Sequence, residues 1–355
     1  MLATILAPIQ EGIHDKAIDA RSRRQRDENL MAHLVGAGAS SHSPLLLANP
    51  SLWHERADQD RDNPQLFDST GIHRSYGELL EIAGDRFEAE LHEDVWQGRF
   101  QTCQRGIDRV GKALRALEPD AVIVVGDDQM ELFDQTNQPA MALYWGDWWE
   151  TAELPLRGDF FDAVKPGYAM DAVHRFAGSS ELAETVLTGL CDAGFDVTSV
   201  ASQPTGKGFG HAFGFVGQSL LDTRQIPIVP LLLNTYYPPN QPTPERCVGL
   251  GNALRGAIES APGGSRVVVV ASGGLSHFVV DEALDETVLD GVRTGRTDGL
   301  ASIPAELLQA GSSEIRNWIT VIAAMDGASA DWHDYAPCYR SPAGTGCGMG
   351  FATWS

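Results

Sequence analysis

Three histidines and one glutamate in this 355-residue sequence sit where side chains able to do chemistry are expected. His42 in "GASSHSP", His211 in "GKGFGHAFGF" and His277 in "VVASGGLSHF" are read as strand-end residues, and "VVGDDQMELF" places Asp127, Asp128 and Gln129 at a fourth such end. Ligands of open α/β sheets lie beyond the carboxyl ends of strands, so polar residues there carry more functional information than polar residues elsewhere. An imidazole at such a place can hold a metal or carry a proton near neutral pH. The simpler accounts are a His42 ring bonded to Ser40 or Ser43, a His211 ring bridging backbone carbonyls, and His277 as a turn residue.

The glutamate is Glu314 in "GSSEIRNWITVIAAM", where Ile315, Trp318, Ile319 and Ile322 recur at helical spacing and mark a buried stripe. Glu314 lies four residues before Trp318, on the flank of that stripe, and is expected to point inward. An inward carboxylate must be protonated, paired or metal-bound, because burying an unpaired charge costs several kcal/mol. Contact with the helix N-terminus and a nearby arginine is the simpler alternative.

The elements that must position these residues alternate. "HLVGAG", "AVIVVG", "AMALYWG", "FDVTSVA", "IPIVPLLLN" and "RVVVVAS" read as strands bounded by Gly, Pro, Asn or Asp. "GRFQTCQRGIDRVGKALRAL", "SSELAETVLTGLCDAG" and "TPERCVGLGNALRGAIES" carry apolar residues at helical spacing. Runs such as "AVIVVG" do not alternate, as expected of strands covered on both faces. The expected fold is α/β: one large domain over 31–355, its mixed central sheet sandwiched by helices and its site at the strand ends. A polar, turn-rich insertion over about 48–75 bears Trp53, His54 and His73, and a loop of that length is usually a lid or binding loop. Its two histidines are expected on the surface.

Composition narrows the function further. A net charge of −22 argues against nucleic acid or an anionic membrane surface as partner. No segment approaches the roughly 20 apolar residues of a membrane helix. Five cysteines, an odd number with no CxxC pair, point away from a disulfide framework or thiolate zinc site and toward a reducing, cytoplasmic setting. Residues 1–30 lack the order of a secretory signal and are read as a mobile extension before Met31. "GAGASS" and "GKGFGH" miss the spacing of nucleotide-binding loops.

Taken in order, "SSHSPLLL", a strand followed by "DDQ", "GHAFGF", "PLLLNTYYPP", "GGLSHF" and "EIRNW" resemble the class III extradiol ring-cleavage dioxygenases from about Met31 onward. The long insertion looks most like the 3-O-methylgallate dioxygenase branch. The resemblance implies a non-haem Fe(II) site held by two histidines and a carboxylate, open to a catechol and to dioxygen. His42 matches the first histidine ligand, Glu314 the carboxylate and His277 the catalytic acid–base. His211 sits where the family often has another active-site histidine, and Asp128 is expected to orient neighbouring groups.

Gln129 departs from the pattern, because the family's second histidine ligand belongs there. Three accounts stand open: Gln129 itself ligates through its amide oxygen, favouring Mn(II) or Zn(II) over Fe(II); Asp127, Asp128, His54 or His73 fills the place; or iron chemistry is lost. If the substrate is an aromatic acid, Lys207, Arg316 or Arg340 is the candidate cation, and Asn234 is a further candidate for substrate contact. The expected partners are a small aromatic compound and O2, in a homo-oligomer or with a separate small subunit. A metal-dependent hydrolase or C–C lyase and a non-catalytic binding protein are the rival functions.

Overall fold

A computed structural model describes residues 30–222 and 225–355. The proposed extension, apart from Leu30, lies outside the described residues. The described residues form ten strands: β1 (His33–Ser40), β2 (Ala121–Asp127), β3 (Met141–Tyr144), β4 (Trp148–Glu150), β5 (Arg175–Ala177), β6 (Thr198–Val200), β7 (Ile228–Leu233), β8 (Arg266–Ser272), β9 (Trp332–Tyr339) and β10 (Gly346–Trp354). Eight form one mixed sheet in the order β6-β3-β7-β2-β8-β1-β10-β9, and β4 with β5 makes a separate ribbon. The four central strands β7, β2, β8 and β1 are mutually parallel, which puts their carboxyl ends at one edge of the sheet. His42, Gln129, Tyr236 and His277 all follow those ends within a few residues.

Absence of alternation in "AVIVVG" has the expected cause. Ile123 and Val125 face a core built with the helices Ser180–Asp192, Pro244–Glu259, Glu282–Thr294 and Ile315–Ala324. Val122 and Val124 face a second core with the helix Glu93–Ala116 and the aromatic segment Phe209–Phe215. The long helix presents Cys103, Ile107, Val110 and Leu114 to the sheet, spaced at one helical face.

One helix departs from the amphipathic expectation. Ile315–Ala324 is buried on every side, its polar residues included. Asn317 Nδ2 donates to Ser272 O (2.9 Å) and Trp318 Nε1 to Gly273 O (2.9 Å), tying this helix to the end of β8. Glu314, at its start, is thereby fixed over the strand ends.

The insertion folds into short helices rather than an irregular loop, with Trp53 buried beneath them. Asp60, fully buried, accepts from Arg340 Nε (2.7 Å) and Nη2 (2.9 Å) and from Thr345 Oγ1 (2.6 Å). This bidentate pair latches the insertion onto the turn between β9 and β10.

Close approach between Pro244–Glu259 and Ile315–Ala324 depends on Gly251, whose substitution by alanine would put a Cβ 2.1 Å from Thr320 O. Gly251→Ala is expected to destabilise the protein by about 1–3 kcal/mol. Gly256→Ala, on the open side of the same helix with nothing within 4 Å, should instead stabilise by about 0.5–1 kcal/mol. Chemical denaturation midpoints of the two variants check the contrast.

Candidate active site

His42 leaves β1 pinned at three points. Tyr168 Oη donates to its carbonyl (2.6 Å), Ser43 caps the turn beginning at Pro44, and Nδ1 meets Ser272 Oγ at 3.0 Å. The Ser272 hydroxyl donates its hydrogen to Ala212 O (2.6 Å), so it accepts from His42 and fixes the proton on Nδ1. Burial pushes the imidazole pKa down and keeps the ring neutral. Nε2 is therefore a bare lone pair, without a hydrogen-bond partner, 3.1 Å from Glu314 Oε2.

Glu314 is anionic despite burial, which pushes its pKa up, because the charge of His277 and its hydrogen bond hold it well below the usual carboxylate range. Gly274 N donates to Oε2 (2.7 Å) and Tyr236 Oη to Oε1 (3.0 Å). A lone pair aimed at a carboxylate oxygen at this distance is satisfied by a cation between them.

His211 supplies the next donor. Its ring stands edge-on to that of His42 with centroids 4.5 Å apart, and its Nδ1 bonds Glu131 Oε1 at 3.1 Å. Burial lowers the His211 pKa, but Glu131 outweighs it and takes the value up to about 9. One donor atom each from His42, His211 and Glu314 lies within 4.8 Å of the others. Two imidazoles and a carboxylate of this kind suit a divalent transition metal with open positions. Glu131 behind His211 is the kind of carboxylate that orients a ligating ring. The loop carrying it is shaped by Asp128, which accepts from Leu132 N (2.8 Å) and Phe133 N (3.1 Å).

Gln129 reaches the same cluster as a donor. Its amide nitrogen lies 3.2 Å from Asp127 Oδ2, 3.4 Å from Glu314 Oε1 and 3.5 Å from His211 Nε2. Asp127 is pushed up to about 8 by burial and then by Glu314, which keeps it protonated. Exposed His54 and His73 stay outside, the latter bonded to Pro64 O at 2.9 Å.

His277 approaches from the other side, Nε2 3.3 Å from Glu314 Oε1 and Nδ1 donating to Leu275 O (2.9 Å). Its turn is clamped by buried Asp285, which accepts from Ser276 N (2.7 Å), Ser276 Oγ (2.8 Å) and Tyr335 Oη (2.7 Å). These groups form the polar floor of a cavity of about 560 Å³ walled by Leu154, Leu156, Phe161, Val164 and Phe278. Its volume and apolar walls fit a small ring.

Residues 87–350 match the family described as the catalytic LigB subunit of aromatic ring-opening dioxygenase. The chain belongs to this family. A gallate dioxygenase of Pseudomonas putida is 39% identical over 92 residues, a stretch covering 25% of each chain. The LigB match includes Gln129, Glu131, His211, His277 and Glu314, whereas His42 precedes it and joins the cluster through β1. Among the described residues no helix is long and apolar enough to cross a membrane.

Three residues expected to contact substrate lie away from the LigB-family cavity. Lys207 Nζ bonds Met130 O (3.2 Å) and pairs with Asp134, clamping the glycine loop before His211 onto the loop of Glu131. Asn234 accepts from Tyr237 N (2.9 Å) and donates to Tyr237 O (2.6 Å) and Asn240 Oδ1 (2.7 Å), which sets the turn carrying Tyr236. Arg316 is buried, donating to the carbonyls of Pro242, Leu308 and Ser313. The cations that line the cavity are Arg340 and Arg56, the latter on the insertion helix Trp53–Gln59 and not singled out in the sequence. Glu131 and Tyr236 were missed as well, since neither carries a local motif.

Metal binding discriminates between His211 and Gln129 as third ligand. His211→Ala is expected to abolish tight binding of Mn(II) or Fe(II), Glu131→Gln to weaken it by about 10–100-fold, and Gln129→Ala to change it by less than about 10-fold. Anaerobic titration of each purified variant measures this.

Proposed function

We propose that this chain is an Fe(II)-dependent extradiol dioxygenase that opens a catecholic or gallate-like ring. The carrying observation is the neutral His42 lone pair opposed to the Glu314 carboxylate at 3.1 Å, at the floor of a cavity sized for one ring. His42, His211 and Glu314 would hold the metal, and Gln129 stands beside them as a hydrogen-bond donor. An ion bound there supplies acidification of adjacent ring hydroxyls and a place for dioxygen beside the ring.

The remaining chemistry belongs to the chain. Burial opposes a charge on His277, but Glu314 outweighs it and raises the pKa well above the usual imidazole value. With a cation on Glu314 that proton would be released, and His277 would then take the proton of a ring hydroxyl and return it to oxygen as the ring opens, its backbone-anchored Nδ1 leaving Nε2 facing the cavity. Tyr236 holds Glu314 in one orientation through Oε1. Leu154, Leu156, Phe161 and Val164 exclude water and stack the ring. The partial likeness to a gallate dioxygenase supports a ring bearing adjacent hydroxyls, and it favours the branch acting on gallate and its 3-O-methyl ether.

Oxygen uptake by Fe(II)-loaded protein with gallate, 3-O-methylgallate, protocatechuate and catechol tests the proposal; uptake with a ring-opened product is expected from at least one. Metal bound with no uptake overturns it in favour of a hydrolase or lyase. His277→Ala should lower turnover by about 10²–10⁴ at unchanged metal content, and full activity in that variant removes the assigned role.

A further inference from the structure

The cavity's cationic wall is built from two distant parts of the chain. Arg340 follows β9, and Arg56 projects from the insertion helix; both line the cavity, where the other charged side chains are those of the floor. Between the two arginines lies Asp60, whose side chain is 0% exposed. Arg340 holds both Asp60 oxygens through Nε and Nη2, and Thr345 adds a further donor. Arg56 touches Asp60 by Nη1 alone, at 3.2 Å. Two guanidinium charges against one carboxylate leave a surplus of one positive charge, and it resides on Arg56.

Among the described residues no other carboxylate pairs with Arg56. Glu55, the adjacent acid on the helix, is turned toward Phe160 N (3.3 Å). Burial, and then the charge of Arg340, push the Arg56 pKa down to about 10, the mark of a cation short of counter-charge. Its guanidinium sits 5.5 Å from the ring centre of Phe278, next in sequence to His277. Tyr236, which bonds Glu314, is within electrostatic reach of Arg56 as well. The guanidinium therefore lines the same cavity as the Glu314 carboxylate, beside Phe278 and near Tyr236.

We propose that Arg56 is a specificity-determining residue that binds a carboxylate carried by the aromatic ring, so that this cavity selects hydroxylated benzoates over neutral catechols. The proposal rests on the ring-binding function above. A planar guanidinium whose Nε and Nη2 carry no other bond among the described residues suits bidentate carboxylate recognition. The insertion exists, on this view, to bring that fork over the cavity, and Asp60 with Arg340 fixes the helix that carries it. Because Arg340 alone neutralises Asp60, Arg56 can be removed without stranding a buried charge.

The test compares gallate with pyrogallol, the same trihydroxy ring lacking the carboxylate. Binding of each is measured by calorimetry without oxygen on the metal-loaded wild type, Arg56→Met and Arg56→Lys, with circular dichroism as the folding check. Arg56→Met should weaken gallate by about 10–100-fold and change pyrogallol by less than about threefold, with Arg56→Lys recovering part of the loss. Equal losses for both rings, or no loss for either, overturn the proposal. If gallate binding depends on Arg56 while no ring drives oxygen uptake, the carboxylate site stands and the oxygenase function falls. If uptake proceeds with gallate and pyrogallol alike in Arg56→Met, the oxygenase stands and the carboxylate site falls.

Discussion

A neutral imidazole nitrogen facing an ionised carboxylate is the constraint around which this fold is arranged. Neither partner can relieve it alone. Ser272 commits the His42 proton to Nδ1, and Gly274 N with Tyr236 Oη keeps Glu314 in place. Each clamp comes from a different element: the end of β8, the turn beyond it, and the loop after β7. The parallel arrangement of β7, β2, β8 and β1 delivers all of them to one edge. A bare lone pair and an anion thus face each other at 3.1 Å, an arrangement that a cation between them would satisfy.

Much of this was legible in the sequence because burial on two faces writes itself as non-alternating β-branched runs. The strands around "AVIVVG" and "RVVVVAS" follow from that pattern, and the inward position of Glu314 from the helical spacing of Ile315, Trp318, Ile319 and Ile322. The C-terminal hairpin was not legible. In "GCGMGFATW" the glycines at 346, 348 and 350 alternate with Cys347, Met349 and Phe351, a period of two masked by low strand propensity. The structure shows why glycine is needed: a Cβ on Gly348 would fall 2.0 Å from the Asp285 carboxylate that clamps the His277 turn. The same close packing that hides the strand from propensity positions the turn that carries His277.

Side chains that act through another residue were the other illegible part. Lys207, Asn234 and Arg316 were singled out for charge or place, yet each is spent on backbone carbonyls or on a turn. Arg56, by contrast, looks in sequence like one of many charges on a solvated segment. Only the latch between Asp60 and Arg340 reveals that its helix is held over the cavity.

Gln129 and Glu131 together explain how the cluster tolerates a missing histidine. With an amide after β2, the strand end can donate to Glu314 but offers no imidazole. The backbone N–H of Gln129 instead bonds Glu131 Oε2, and the other oxygen of Glu131 holds His211 Nδ1. With Nδ1 held by Glu131, Nε2 is the ring atom that faces Gln129 and the cluster, and its proton would leave on metal binding. The loop after β2 therefore still shapes the cluster, by steering a histidine from the helix His211–Phe215 rather than by supplying one. A ligand orientation set by a two-residue relay depends on loop rigidity, and Asp128 provides that by capping the backbone at Leu132 and Phe133.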